Sequence, residues 1–150
     1  MKKIAILLLS LTLLAACGQK YDIIDTEVEA NKINNEQLKE DDNISKVYFD
    51  LNKSLLKQEG KNTLDAVAKK LKSQEDVKIV IEGHCDERGT REYNLALGQR
   101  RAESVKKYLV EKGIKAGSIK TISYGKEQPE FIGSGEEVWS KNRRGVIIVK

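Results

Sequence analysis

A short polar stretch, Gly83 to Thr90, holds the side chains of this 150-residue chain that are best suited to chemistry. Asp86 in this stretch offers a carboxylate, and Arg101, further along the chain, offers a guanidinium. A carboxylate binds an ammonium group, and a guanidinium binds a carboxylate through two parallel hydrogen bonds. If the two residues meet, they therefore form a site for a ligand that carries both charges, a zwitterion.

The pattern of apolar residues predicts how these two side chains are held. The run Val77 to Ile81 is typical of a buried strand that ends at the polar stretch. A long helix is predicted between Thr90, a suitable N-cap, and Gly113, a suitable C-cap. Because helical side chains lean towards the helix N-terminus, Arg101 should reach back towards the loop that carries Asp86.

Two further residues of the predicted helix, Asn94 and Leu97, share a face with Arg101 at helical spacing. Simpler interpretations exist for the charged pair. Asp86 alone fits an aspartate that opens a turn, and Arg101 alone fits an exposed arginine paired with a nearby glutamate. The joint placement of the four residues favours a binding site.

The rest of the chain predicts alternating strands and helices. The predicted elements outside the central stretch are a strand at Val47 to Phe49, an amphipathic helix at Leu55 to Leu71, a strand at Ile119 to Tyr124 and a last strand at Gly145 to Val149. A short turn or helix is expected around Glu136 to Trp139. The order β-α-β-α-β-loop-β predicts a two-layer α/β (α+β) sandwich with at least one parallel crossover, and it leaves the direction of the last strand open.

Several motifs along the chain resemble those of the OmpA-like peptidoglycan-binding domain family. In chain order they are Val47-Tyr48-Phe49-Asp50, Gly83-His84-x-Asp86-x-x-Gly89, Asn94-x-x-Leu97-Gly98-x-x-Arg101-Ala102-x-x-Val105, Ser123-Tyr124-Gly125-Lys126-Glu127-x-Pro129 and Ser140-Lys141-Asn142-Arg143-Arg144. Together they resemble the peptidoglycan-associated lipoproteins within that family. The resemblance implies a β-α-β-α-β-β fold with a mixed four-stranded sheet and its helices on one face.

The resemblance also implies a ligand, the diaminopimelate residue of a peptidoglycan stem peptide. Asp86 would bind its free ammonium group and Arg101 its carboxylate. Weaker candidates for the pocket and its rim are Asn94, Leu97, Phe49, Asp50, Glu82 and Thr90. For Phe49 and Asp50 a core aromatic and a turn aspartate are equally good interpretations. Arg143 and Arg144 are expected to be mainly structural, with Arg144 the nearer to the site.

The first residues of the chain predict export. Residues 1–16 have a basic start, an apolar run and small residues before Cys17. This is typical of a secretory signal peptide, because about 20 apolar residues would be needed to span a bilayer. The junction Leu14-Ala15-Ala16-Cys17 resembles the lipobox of bacterial lipoproteins, which implies acylation of Cys17. An ordinary signal peptide followed by a chance cysteine is the alternative.

Localisation and domain boundaries follow from the same region. Gly18, rather than an aspartate, follows the predicted lipidation site, and for such lipoproteins this implies delivery to the outer membrane, with the domain facing the periplasm. Residues 17–45 are then the acylated cysteine and a flexible polar tether. Residues 46–150 are the predicted folded domain.

The partners implied by the resemblance are peptidoglycan, the outer membrane, the periplasmic TolB propeller and the TolA arm, with a role in envelope integrity and cell division. The alternative is a wall-binding lipoprotein of this family outside the Tol system that acts mainly as a protein-interaction module. The net charge of +4 is small and mixed in sign, which gives nucleic-acid binding little support.

Catalysis is not predicted. The chain has no recognisable Ser-His-Asp motif, and its single histidine, His84, excludes a metal site built on histidines. No cofactor is implied. His84 is expected to pack or form hydrogen bonds within its loop. Cys85 is expected to be a small packing residue, and the alternative is a redox-sensitive or catalytic thiol.

Overall fold

The computed structural model of the chain describes residues 43–74 and 76–150. The predicted signal peptide, Cys17 and most of the predicted tether lie outside the described residues. The first strand begins at Ile44, so the sheet starts slightly before the predicted domain boundary at Lys46. None of the helices in the described ranges is long and apolar enough to cross a membrane.

Four strands form one mixed sheet. They are β1 (Ile44–Tyr48), β2 (Ile79–His84), β3 (Ile119–Gly125) and β4 (Arg144–Val149). The order across the sheet is β1-β4-β2-β3, with β2 parallel to β3 and β4 antiparallel to both β1 and β2. The predicted four-stranded mixed sheet is therefore confirmed, and the last strand, whose direction the sequence left open, lies inside the sheet.

Three helices connect the strands: α1 (Gln58–Leu71), α2 (Arg91–Glu111) and α3 (Glu136–Asn142), with a short 3₁₀ turn at Ala116–Ser118 before β3. Helices α1 and α2 pack on one face of the sheet, as predicted. The core between them consists of buried apolar side chains, among them Val47, Phe49, Leu64, Ile79, Ile81, Val105, Leu109 and Ile147. The predicted short helix near Glu136 is present as α3.

Helix α2 approaches the sheet most closely where two glycines face each other. A Cβ atom on Gly83 of β2 would lie 1.8 Å from the carbonyl oxygen of Gly98 in α2. The Ser123 hydroxyl of β3 donates to the Leu95 carbonyl of the same helix at 2.7 Å. The absence of side chains at the two glycines thus lets α2 lie against the ends of β2 and β3, which fixes where its first two turns project.

The ends of α2 agree with the sequence prediction. The Thr90 hydroxyl accepts a hydrogen bond from the Tyr93 backbone N–H at 3.2 Å, so Thr90 is the N-cap. Gly113 follows the last turn with φ of +96°, a left-handed conformation that glycine adopts without strain. The cap places the start of the helix, and therefore its functional side chains, beside the loop after β2.

We expect Thr90→Ala to lower the free energy of unfolding by about 1 kcal/mol, because the N–H of Tyr93 loses its acceptor at the helix start. Urea denaturation followed by circular dichroism measures the change. Thr90→Ser is the matched control, since serine keeps the hydroxyl and should retain most of the stability. Equal losses in the two variants would contradict a capping role.

Candidate functional site

A narrow cleft lies at the end of the sheet where β2 meets the N-terminal half of α2. It is bounded by the loop after β1 (residues 49–57), the loop after β2 (residues 85–90) and the C-terminal end of α3. The cleft encloses about 10 Å³ and is lined by Leu51, Asn52, Cys85, Asp86, Arg88, Asn94, Leu97, Arg101 and Arg143. Four of the predicted site residues, Asp86, Asn94, Leu97 and Arg101, are thus brought together here.

Asp86 is 3% exposed, and arginines surround its carboxylate. The Arg88 backbone N–H and Nε both donate to its Oδ1 at 3.1 Å. Its Oδ2 accepts from Arg88 Nη2 at 2.6 Å and from Arg143 Nη1 at 3.2 Å. Burial alone would raise the pKa of Asp86, but the hydrogen bonds from the two arginines outweigh it and hold the pKa below its ordinary value. The carboxylate is therefore ionised at neutral pH.

Arg101 is fully buried, and its guanidinium connects the loop after β1 to the last residue of β2. Its Nε donates to the Lys53 carbonyl at 2.9 Å and its Nη2 to the Asp50 carbonyl at 3.0 Å. Its Nη1 donates to the His84 carbonyl at 2.7 Å. Three of its five N–H donors are thereby used on backbone, which leaves at most two for a ligand.

Arg143, which the sequence analysis expected to be mainly structural, lines the cleft. Its Nε donates to the Phe49 carbonyl at 3.0 Å, and its guanidinium pairs with Asp86 and with Glu136 of α3. Burial lowers the pKa of Arg143, but Glu136 and Asp86 reverse this effect and raise it. Arg143 directly precedes β4, and its backbone carbonyl accepts a hydrogen bond from the Phe49 N–H at 2.9 Å, which places it beside the loop after β1.

Arg88 closes the cleft on its outer side. Its guanidinium carbon lies 3.9 Å from the centre of the Trp139 ring, a cation–π contact. The Trp139 indole N–H donates to Glu87 Oε1 at 2.9 Å, and so does the Ser134 hydroxyl at 2.7 Å. The loop after β2 and helix α3 are therefore joined by a second polar cluster at the mouth of the cleft.

Asn94 holds the loop after β2 in place. Its side-chain amide donates to the Arg88 carbonyl at 2.8 Å and to the Thr90 carbonyl at 3.0 Å. Leu97 is 3% exposed and supplies an apolar wall. Thr90 is exposed and caps α2, outside the residues that line the cleft. Whether these residues contact a ligand stays a prediction.

The predicted rim residues Phe49 and Asp50 contribute backbone atoms to the cleft, while their side chains lie elsewhere. Phe49 is 2% exposed and belongs to the core, with the Arg101 guanidinium 5.2 Å from its ring centre. The Asp50 carboxylate is half exposed and lies near Lys57 and Lys53, at 3.4 and 3.6 Å. Phe49 and Asp50 reach the cleft through their carbonyls, which accept from Arg143 and Arg101.

Glu82 and Arg144 lie apart from the cleft, contrary to the sequence analysis. Residues of a strand alternate between faces, and Glu82 is out of phase with Ile79, Ile81 and Gly83, which face the helices. It lines a separate depression on the open face of the sheet together with Arg144, whose Nε pairs with Glu130 at 3.0 Å. Burial raises the pKa of Glu82, with the nearby Arg144 opposing.

His84 is 2% exposed and stacks on the Tyr124 ring at 5.4 Å between centroids. Its Nε2 lies 3.5 Å from Glu82 Oε2. Burial, reinforced by the charge of Arg144 and opposed by the Gln128 backbone and Glu130, lowers the pKa of His84 from 6.5 to about 4. The ring is therefore neutral in the folded protein. His84 is the last residue of β2, and its ring packs on Tyr124 of β3 and not within the loop, where it was expected.

Because His84 is neutral in the folded state, we expect the folded protein to lose stability in weak acid. The unfolded chain takes up a proton at His84 near pH 6.5, whereas the folded chain does so only near pH 4. The contribution of the neutral His84 ring to the free energy of unfolding is thus fully present above pH 6.5 and is lost as the pH falls from 6.5 towards 4. We expect the free energy of unfolding to drop by about 1–2 kcal/mol between pH 7 and pH 5.

Urea denaturation at several pH values, with wild type beside His84→Phe, measures this contribution. Phenylalanine retains a ring to stack on Tyr124 but does not titrate. The slope of unfolding free energy against pH should be smaller in His84→Phe over this window. The same slope in both proteins would show that other groups cause the acid sensitivity.

Cys85 is buried, and its thiol donates to the Asn94 carbonyl at 3.3 Å between sulfur and oxygen. Burial raises the pKa of the thiol, with the charge of Arg101 opposing. A protonated, buried thiol is a poor nucleophile. The position therefore agrees with a packing residue, as expected from the sequence, and the catalytic alternative has no support.

The chemistry available in the cleft is charge recognition. Arg88, Arg101 and Arg143 face one buried carboxylate, Asp86, and Glu136 closes the cluster from α3. Within residues 43–74 and 76–150, no group of three or more His, Cys, Asp or Glu side chains is placed to hold a metal ion. The arrangement suits a small ligand group that carries opposite charges close together.

Arg88 and Arg143 are the site residues that sequence reasoning missed. Arg88 follows Asp86 by two residues. In an Asx turn the aspartate side chain bonds the backbone N–H two residues later, so the sequence did indicate that Arg88 lies close to Asp86. For Arg143 the sequence held no comparable signal, because this residue lies between α3 and β4, outside the alternation of the strand.

Comparisons with known proteins agree with the fold and the motifs. The OmpA family matches residues 48–143. The peptidoglycan-associated lipoprotein of Pasteurella multocida is 43% identical over 162 aligned positions, which cover 98% of this chain and 99% of that protein. The protein of the same name from Haemophilus influenzae is 50% identical over 101 residues, 67% of this chain and 66% of its own length.

Solved structures resemble the fold as well. The crystal structure of the peptidoglycan-associated lipoprotein from Burkholderia pseudomallei superimposes with a TM-score of 0.68 at 40% identity, over 70% of this chain and 89% of that one. The periplasmic domain of Helicobacter pylori MotB gives a TM-score of 0.62 at 22% identity, over 73% of this chain and 77% of that one, and this similarity concerns the fold alone. The chain belongs to the OmpA family and, within it, to the peptidoglycan-associated lipoproteins.

Proposed function

We propose that this chain is an outer-membrane lipoprotein that binds peptidoglycan non-covalently and so tethers the outer membrane to the cell wall. The observation that carries the proposal is the cleft, in which one buried, ionised carboxylate lies among three guanidinium groups. The names of relatives 43% and 50% identical to the chain support the class of ligand.

The side-chain end of diaminopimelate carries an ammonium and a carboxylate on one carbon atom, which matches the charges of the cleft. Asp86 would accept hydrogen bonds from the ammonium. The carboxylate would lie against Arg143 and the remaining donors of Arg101. Leu97 and Leu51 would contact the methylene chain between the two ends of the residue.

The protein acts by binding rather than catalysis. Acylation of Cys17 would fix the chain in the outer membrane, because two or three acyl chains anchor firmly where one does not. The residues between Cys17 and β1 would span the distance to the wall. Many anchored copies facing a repeating polymer gain strength by avidity even when each site is weak.

The family further suggests a place in the Tol system, with TolB and TolA as protein partners and a role in envelope integrity and cell division. Pull-down of purified TolB with the soluble chain tests this part separately from wall binding. Retention of TolB by wild type would support it. If wild type does not retain TolB, the chain would instead be a wall-binding lipoprotein outside the Tol system.

Co-sedimentation with purified sacculi tests wall binding directly. Residues 18–150 keep the whole described part of the chain. We expect them to sediment with intact sacculi and to be released into solution by an excess of free stem peptide. Sedimentation that the free peptide does not reduce would assign recognition to the glycan. No binding to sacculi would contradict the proposed function.

Fractionation of cells tests the membrane anchor. The full chain should be recovered in the outer-membrane fraction, and Cys17→Ser should be lost from that fraction. Because Cys17 is far from the cleft in sequence, binding of the variant to sacculi should be unchanged. Recovery of Cys17→Ser in the outer-membrane fraction would exclude acylation of this cysteine as the anchor.

A further inference from the structure

The Asp86 carboxylate has no acceptor position left for a ligand. An ionised carboxylate offers about four lone-pair positions. Arg88 occupies three of them, through its backbone N–H, Nε and Nη2. Arg143 Nη1 occupies the fourth at 3.2 Å. An ammonium group can therefore bond Asp86 only if one of these donors leaves.

The size of the cleft leads to the same conclusion. Its volume of about 10 Å³ is about that of a single water molecule. An amino-acid end group does not fit. Binding through this cleft therefore requires a side chain to move, and the contacts of the two arginines identify which one.

Arg143 is held in place. Its side chain is 6% exposed, and it bonds the Phe49 carbonyl in the interior while pairing with Glu136. Moving it would leave a buried carbonyl without a donor, which is costly. Arg143 therefore stays with Asp86 when a ligand enters.

Arg88 is held much less firmly. Its side chain is 34% exposed, and within residues 43–74 and 76–150 its guanidinium donates hydrogen bonds to Asp86 alone. A second set of contacts is already within reach, since Nη2 lies 3.9 Å from Glu136 Oε2 and the guanidinium stacks on Trp139. By sliding along the Trp139 ring towards Glu136, the guanidinium would leave Asp86 and remain paired.

We propose that Arg88 is a built-in competitor for Asp86, a side chain that occupies the ammonium position until a ligand ammonium displaces it onto Trp139 and Glu136. This inference rests on the proposed function. It makes Arg88 a specificity-determining residue, because only a ligand that brings its own cation restores the pairing of Asp86. A stem peptide whose side-chain amine is already cross-linked or acylated leaves Arg88 in place.

Titration calorimetry with two peptides tests the competition. One is the tripeptide L-Ala-γ-D-Glu-diaminopimelate, and the other is the same peptide acetylated on its side-chain amine. In Arg88→Met, which keeps the length of the side chain but removes its donors, the Kd for the free-amine peptide should fall about tenfold. The Kd for the acetylated peptide should change little.

Two variants separate competition from a general effect of charge. Arg88→Lys keeps the positive charge but loses the planar two-donor geometry, so it should give an intermediate gain of about threefold. Arg91→Met removes an exposed arginine that pairs with Glu127 in the first turn of α2, and it should leave both Kd values unchanged.

The outcomes are distinct. A gain limited to the free-amine peptide supports the role of Arg88 as a competitor for Asp86. An equal gain for both peptides, a gain in Arg91→Met as well, or weaker binding in Arg88→Met overturns it while the proposed function stands. If wild type binds neither peptide nor sacculi, the proposed function fails and the competitor fails with it.

Discussion

Replacement of Arg101 by methionine is expected to lower the free energy of unfolding by about 3–4 kcal/mol. The guanidinium donates to the carbonyls of Asp50, Lys53 and His84. Methionine fills a similar length but donates nothing, and the bond to His84 is buried, so water cannot replace it there. The loss stays below the sum of three charge-assisted bonds because burying a guanidinium is itself unfavourable.

The neighbouring arginine supplies the control. Arg100 is exposed, so Arg100→Met removes the same charge from the same turn and should change stability by less than about 0.5 kcal/mol. Urea denaturation of both variants beside wild type gives the comparison. A loss below about 1 kcal/mol in Arg101→Met would show that the carbonyls find other donors and that Arg101 does not hold the loop after β1 against the end of β2.

This structural role changes how binding data on Arg101 are interpreted. When the rims of the cleft separate, any ligand contact made by other residues is lost as well. Weak binding by an Arg101 variant therefore does not establish that the guanidinium touches the ligand. The charge-recognition hypothesis is better tested at Asp86. Apart from one backbone N–H of Arg88, the side chain of Asp86 bonds other side chains, whereas Arg101 bonds three backbone carbonyls.

Much of the fold was predictable because its signals are local. Helix α2 begins at a threonine cap and ends at a glycine with positive φ, and both features were visible as residue types at the right spacing. The alternation and apolar runs also identified the four strands. The position of β4 between β1 and β2 was not predictable in this way, since strand pairing depends on contacts between distant parts of the chain.

The site was predictable in its members more than in its contacts. Asp86 and Arg101 do line one cleft, yet the acceptors of Arg101 are backbone carbonyls. Every residue carries a carbonyl, so no residue type in the sequence marks these acceptors. Glu82 was misplaced for a different reason, because a shift of one residue along a strand moves a side chain to the opposite face.

Asp86→Asn is expected to weaken binding of the free-amine tripeptide by about 2–4 kcal/mol, which is about 30- to 700-fold in Kd. Asparagine has nearly the same shape but no charge, and its amide presents donors where Asp86 presents only acceptors. A ligand ammonium would lose its counter-charge. The Arg143 guanidinium, which lies beside Asp86, would then repel the ammonium with no negative charge to offset the repulsion.

The fold should survive this change. Arg143 keeps its pairing with Glu136 and its bond to the Phe49 carbonyl, and Arg88 is exposed enough to be solvated. We therefore expect a stability loss of about 2 kcal/mol, smaller than for Arg101→Met. Asp65→Asn, an exposed carboxylate on α1 that pairs with Lys112, is the control and should leave binding unchanged.

A thermodynamic cycle between protein and ligand isolates the contact itself. Wild type and Asp86→Asn are each titrated with the free-amine peptide and with its acetylated form. If Asp86 binds the ammonium, both changes remove the same interaction, so the second costs little once the first is made and the coupling energy is large. If Asp86 only organises Arg88 and Arg143, acetylation weakens binding equally in both proteins and the coupling is near zero. Only the first result would assign the ammonium of the ligand to this carboxylate.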